Sequence, residues 1–202
     1  KGKEGHAASP HRTIDPINIA AQVVLAFNSI ISRNLSPVDS GVLSIGRING
    51  GCRRNIIPQI VEIEGTMRTL QSETREFLKN RVYEVTRGIC NSFGATFNIE
   101  WFKSYDVTVN DPEMAILAKK SINRFFTRNV IEENVKPSMT GEDFSYFLKE
   151  AKGALIWVGA NDGIPMNLHS GSLAIRDEVL MNIIKSFLGI VLGYFEAYKK
   201  TI

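Results

Sequence analysis

The chain is poor in the residues that usually build an active site. Its 202 residues include three histidines and two cysteines. A metal centre or an activated nucleophile needs several converging side chains, so few places along the chain qualify. Cys52 and Cys90 lie far apart, which excludes a disulfide framework and a cysteine-rich zinc site and favours a reducing, cytoplasmic home. No run approaches the roughly 20 continuous apolar residues of a membrane span. The most apolar stretch, residues 183–191, is interrupted by Lys185, Ser186 and Gly189. Lys1-Gly2-Lys3-Glu4-Gly5 carries no apolar signal-peptide core and reads as a chain entered in mid-domain. Net charge is +3, so the balance demands neither nucleic acid nor an anionic membrane. Residues 1–105 hold 13 Lys/Arg against 9 Asp/Glu, and the remainder holds 11 against 12. The positive first half suits an anionic small substrate, or equally a solvated surface.

What is present is a core and a regular order of elements. A hydrophobic content of 44% suffices for one or two domains. Asp15-Pro16 opens a helix with a capping carboxylate and proline at its first position. Ile17, Ala20, Ala21, Val24, Phe27 and Ile31 keep helical spacing to about Arg33. Residues 41–48 read as a strand. A second strand covers residues 57–69, with Val61, Ile63 and Met67 on one face and Glu62, Glu64, Thr66 and Arg68 on the other. Ser72 begins a helix striped by Leu78, Val82, Val85 and Ile89, and Gly94 ends it. Residues 95–102 alternate again. With a strand within residues 1–9 the order is β-α-β-β-α-β, a ferredoxin-like α+β arrangement. The remainder predicts an α/β portion. It has a helix capped by Asp111-Pro112, short elements near residues 129–131 and 142–148, an apolar strand over residues 154–158, and a closing helix from Asp177 to about Lys199. The boundary falls near Tyr105–Asp111.

Five segments carry chemistry, each beside a plainer reading. Gly5-His6 precedes a Pro10 turn, where an imidazole N–H is placed to meet developing negative charge or is simply a surface histidine. Asn55 follows the glycine hinge Gly50-Gly51 and the pair Arg53-Arg54, as an oxyanion or carboxylate contact or as part of a solvated hairpin. Arg68 offers a bidentate fork to a carboxylate, or pairs across the sheet with Glu62 or Glu64. Thr140-Gly141-Glu142-Asp143 fits a capping box. His169 follows a Gly/Pro-rich loop after a buried strand, where α/β sites gather, though a lone histidine is usually no ligand.

Together these segments resemble the zinc-type aminoacylase and carboxypeptidase family of metal-dependent amidohydrolases, which includes hippurate hydrolase and indole-acetyl-amino-acid hydrolases. The resemblance runs through residues 5–11, Asp15-Pro16, residues 55–58, Gly65-Thr66-Met67-Arg68-Thr69, residues 139–144 and Leu168-His169-Ser170, in the family's order. It implies a lid and dimerisation domain over residues 1–107 and the C-terminal portion of a catalytic domain over residues 108–202. It further implies that His6 is the catalytic oxyanion donor, that Asn55, Arg68 and Gly141 contact substrate, and that His169 is a metal ligand. Two divalent metal ions (zinc, manganese, cobalt or nickel), a homodimer formed through the lid, and an N-acyl amino acid or dipeptide substrate complete that expectation. N-acetyl-diaminopimelate and hippurate-like compounds fit equally. Gly171 stands where the family often has proline. The family's other metal ligands and its glutamate pair lie upstream of the lid, so the chain alone is expected to be inactive. The alternative is a non-catalytic dimerisation or RNA-binding module. Glu62, Glu64 and Thr66, on the face where such a module carries aromatics, argue against it.

Overall fold

The computed structural model describes residues 1–102, 105–127, 130–133, 135–160, 171 and 173–199. The chain divides into two compact units, Lys1–Val107 with Pro137–Gly141, and Thr108–Lys136 with Glu142–Ile202. Together they make a mixed α/β protein.

In the first unit, β1 (Gly5–His6) precedes α1 (Pro16–Ser29), which starts where sequence places it. The Asp15 carboxylate accepts from the backbone N–H of Ile17 at 2.9 Å and of Asn18 at 3.4 Å, while Pro16 gives up no bond by lacking an N–H. A π-helical turn over Ile30–Asn34 ends the helix. The buried face differs from the expected one. Ile19, Ala20, Val23, Phe27 and Ile30 are buried, whereas Ile17 is 47% exposed. This helix is apolar on almost every side, so spacing alone does not choose its inner face.

β2 (Gly41–Gly50) pairs antiparallel with β4 (Val61–Thr69). Leu43 lies opposite Met67, Ile45 opposite Gly65 and Ile48 opposite Ile63, with the register shifting between Ile45 and Arg47. The odd step from Ile45 to Ile48 would put them on opposite faces of a regular strand, and the extra residue at Gly46 returns Ile48 to register with Ile63, where it stands 53% exposed. The single strand expected over residues 57–69 is instead two. β3 (Ile56–Ile57) pairs with β1, and Pro58, which cannot donate to a ladder, separates it from β4. The strand expected within residues 1–9 shrinks to β1 and one bridge between Lys3 and Ile14. Residues 95–102 form no strand. They touch the N-terminal segment where the Lys1 amino group donates to the Thr96 carbonyl at 2.7 Å and Thr96 N–H donates back at 3.0 Å.

α2 (Ser72–Ser92) begins at Ser72 without a side-chain cap and buries Thr74, Leu78, Val82, Thr86 and Cys90 at four-residue spacing. It closes on Ile19, Val23, Phe27 and Ile30 in one core. Ile30 and Leu78 are fully enclosed, each worth about 1.5–3 kcal/mol of transfer from water.

In the second unit, α3 (Pro112–Asn123) is capped by Asp111, whose carboxylate accepts from Met114 N–H at 3.0 Å. α4 (Phe144–Glu150) does not use the expected capping box: Asp143 already has helical angles and makes no side-chain cap, and the Ser145 hydroxyl bonds the Glu142 carbonyl. The apolar segment 154–158 forms no strand. The Asn110 side chain stands in for a neighbouring strand, donating to the Leu155 carbonyl at 2.9 Å and accepting its N–H at 2.8 Å. Trp157 is 57% exposed, so this is not the buried strand expected. Asn129 lies outside the described residues, and Val130 and Ile131 form no strand. α5 (Asp177–Tyr198) is unbroken by Lys185, Ser186 or Gly189, and by length and composition alone it reaches the span of a membrane, contrary to expectation. It packs on α3 through its glycines. A methyl group at Gly193 would lie 1.9 Å from Ser121 Oγ, and one at Gly189 would lie 2.8 Å from the Ser121 carbonyl.

Candidate functional site

The strand register brings His6 and Asn55 together. His6 lies opposite Ile56, and Ala7 N–H donates to the Asn55 carbonyl at 3.1 Å. Gly51, at φ 79°, takes the left-handed conformation that starts the turn leading to Asn55. Both side chains are exposed. The backbone N–H of Ala8 donates to His6 Nδ1 at 3.1 Å. An accepting Nδ1 puts the proton of the neutral ring on Nε2, which makes Nε2 a donor. A second bond, Ser9 N–H to the His6 carbonyl at 2.8 Å, fixes the turn beneath it. The arrangement presents one N–H donor and one carboxamide at the same edge of the unit.

Arg68 sits elsewhere, near the far end of β4 and opposite Val42. From Val61 to Arg68, β4 runs about 23 Å, and Ile56 lies further back along the chain. Sequence left Arg68 a possible pairing with Glu64, but that carboxylate pairs with Arg47 directly across the strand. Gly141 lies instead against Arg68. A methyl group there would stand 3.1 Å from Arg68 Nη1 and 2.9 Å from Cδ2 of Tyr105. Gly141 thus belongs beside Arg68, and His6 with Asn55 forms a separate group. The hydroxyls of Ser138 and Thr140 bond one another at 2.9 Å in the same short segment.

His169 lies outside the described residues. Among the described residues no three His, Cys, Asp or Glu side chains converge to hold a metal. The described residues by themselves therefore do not close a metal centre. Cys90 is buried and its thiol pKa is raised by that burial, whereas Cys52 is exposed.

Tyr105, beside Arg68, escaped sequence reasoning, as did Arg75, whose guanidinium bonds the Tyr105 carbonyl at 3.3 Å and the Asp106 carboxylate at 2.5 Å. The only signal for Tyr105 was its place near the domain boundary, and Arg75, 30 residues away, carried none. The face of β4 bearing Glu62, Glu64 and Thr66 is exposed as expected and offers no aromatic platform for single-stranded RNA.

The peptidase dimerisation domain of the M20 group matches residues 1–92. An N-acetyldiaminopimelate deacetylase of Leuconostoc citreum is 38% identical over 192 residues, 93% of this chain and 48% of that protein. An N-acetyl-L-cysteine deacetylase of Bacillus subtilis is 37% identical over 161 residues, 80% of this chain and 38% of its own. Among solved structures, a Bacillus subtilis dinuclear metal binding peptidase from the M20 family superposes with TM-score 0.71 at 28% identity, covering 89% of this chain and 46% of that one. The chain spans about half the length, or less, of these relatives. With its motifs in that order and this fold, the chain carries the M20 peptidase dimerisation domain and fits, over part of its relatives' length, the family of metal-dependent aminoacylases and amidohydrolases.

Proposed function

We propose that the full-length protein hydrolyses the amide bond of N-acyl amino acids or dipeptides. In this reading residues 1–107 are a ferredoxin-like lid that pairs two copies, and residues 108–202 are the C-terminal portion of the catalytic domain. The order of backbone contacts supports such a lid: Thr96 beside Lys1, Gly5 beside Ile57, and Val61 beside Gly50. His6 Nε2 donates to the carbonyl oxygen as it takes on negative charge. The Asn55 carboxamide assists, and Arg68 grips the free carboxylate with its two-pronged fork. His169 is proposed as a ligand to one of two divalent ions. The full-length protein would supply the remaining ligands. The two unpaired cysteines keep a reducing, cytoplasmic home in the proposal.

The carrying observation is the separation of His6 and Asn55 from Arg68. In an N-acyl amino acid the amide carbonyl carbon and the carboxylate carbon lie within about 4 Å of one another, since only the amide nitrogen and Cα intervene. One lid that holds His6 and Asn55 before the start of β4 and Arg68 near its far end does not suit so short a substrate. Two copies do, one giving His6 and Asn55 and the other Arg68. This geometry supports a homodimer with composite sites.

The test is Arg68→Ala in the full-length enzyme, assayed on an N-acetyl amino acid and on its α-carboxamide. Losing a charge-assisted carboxylate contact should cost about 2–4 kcal/mol in kcat/KM for the acid, with little change for the amide. Equal losses on the two substrates would remove Arg68 from this role.

A further inference from the structure

Two segments of the first unit meet on Arg68. Tyr105 and Asp106 lie just before Val107, where the chain leaves that unit, and Gly141 ends the short return of Pro137–Gly141. Arg68 and Tyr105 both approach the bare face of Gly141, at 3.1 Å and 2.9 Å from the place a methyl group would take. The Tyr105 ring is 45% exposed, so part of it faces outward beside the guanidinium.

Arg75, in the first turn of α2, holds this corner. Its Nη1 donates to the Tyr105 carbonyl and its Nη2 to the Asp106 carboxylate. The two charged side chains are only 22% and 27% exposed. The Nε of Arg75 is buried without a partner. A buried N–H left unpaired is a cost, which makes Arg75 a poor device for stability and a good one for fixing where the chain runs. A bidentate contact to a carboxylate depends on the orientation of the guanidinium plane, so whatever packs beside Arg68 governs how well it binds.

We propose that Tyr105 is a specificity-determining wall of the carboxylate site and that Arg75 is its positioning residue. Arg75 pins the backbone at Tyr105 and Asp106. The pinned ring then confines the Arg68 guanidinium over Gly141. This rests on the reading that Arg68 holds the substrate carboxylate.

The experiment uses the full-length enzyme with Tyr105→Leu, Arg75→Gln, Arg75→Lys and Arg68→Ala. The substrates are the N-acetyl amino acid it cleaves best and that compound's α-carboxamide. Tyr105→Leu and Arg75→Gln should raise KM for the acid about tenfold, the scale of one charge-assisted hydrogen bond. kcat for the acid and both constants for the amide should stay within about twofold. Calorimetric binding of the acid to the metal-free protein should weaken by the same factor. Arg75→Lys, which keeps a cation for Asp106, should recover part of the loss. Equal shifts for acid and amide, or no shift, overturn the proposal. If Arg68→Ala separates acid from amide while the other variants do not, the proposed roles of Tyr105 and Arg75 fall and the carboxylate reading stands. If Arg68→Ala itself fails to separate them, the carboxylate reading falls too. Should Arg75→Gln not fold, the half-exposed Tyr105→Leu decides alone.

Discussion

In the unit built on residues 1–107, the apolar faces of α1 and α2 close on one another, and Ile30 and Leu78 are fully enclosed. In the other unit, α5 buries Val179, Gly189 and Gly193, while Leu180, Phe187 and Phe195 stand 55%, 66% and 62% exposed. The two units draw on the same kinds of residue. They differ in how many faces of each helix find a neighbour. α3 covers one stripe of α5, and α5 is apolar well beyond that stripe. A helix apolar on several sides suits a position with neighbours on several sides, and a continuous exposed apolar surface marks a place where something else docks. Sequence periodicity alone reports the total apolar content and not how much of it a given chain can enclose.

The largest expected effect concerns the histidines of the two halves. In the full-length enzyme, His6→Ala should keep its metal yet lose about 100- to 1000-fold in turnover, as for one oxyanion donor. His169→Ala should lose metal and activity together. Metal analysis beside rates checks both, and the reverse pattern would invert the assigned roles. Next, Leu78→Ala should cost about 2–5 kcal/mol in denaturant unfolding, because a filled core position becomes a cavity. Phe187→Ala, on the open face of α5, should stay within about 0.5 kcal/mol and reduce binding of a hydrophobic dye. Similar costs at the two positions would erase the contrast between the units. Gly193→Ala should destabilise by about 1–3 kcal/mol through overpacking against Ser121, and Ser121→Gly should restore part of it in a double-mutant cycle. The smallest effect separates the cysteines. Cys52 should react with a thiol reagent in the folded protein. Burial raises the Cys90 pKa, leaving less thiolate at neutral pH, so Cys90 should react only on unfolding. Fast labelling of Cys90 would show that the α1–α2 core opens easily.

Much of the candidate site was legible because its pieces are short and ordered along the chain. Gly5-His6, Asn55, Gly65-Thr66-Met67-Arg68 and Thr140-Gly141 stand as motifs whatever the chain does between them. Their grouping was not legible. Nothing in the spacing says that Asn55 joins His6 through β1 and β3 while Arg68 joins Gly141 and Tyr105. Arg75 and Asp106 carry no local pattern at all. The expected capping box also failed for a tertiary reason. Its residues are split between the two units after Gly141, and α4 starts three residues later than a Thr140 cap requires.

By itself the sequence determined the features that rest on neighbouring residues. Asp15-Pro16 and Asp111-Pro112 cap helices because a carboxylate reaches N–H groups two or three residues ahead. β4 alternates because successive side chains must point to opposite faces. The tertiary structure alone decided which side of α1 turned inward, since a helix apolar nearly all round has no preferred face until α2 packs against it. It also decided that the arm from Ile56 to Thr69 would break at Pro58, because a missing N–H matters only where a partner strand needs it. Finally, it set Arg68, Tyr105 and Gly141 together, for contacts between distant residues exist only once the chain has closed the loops that separate them.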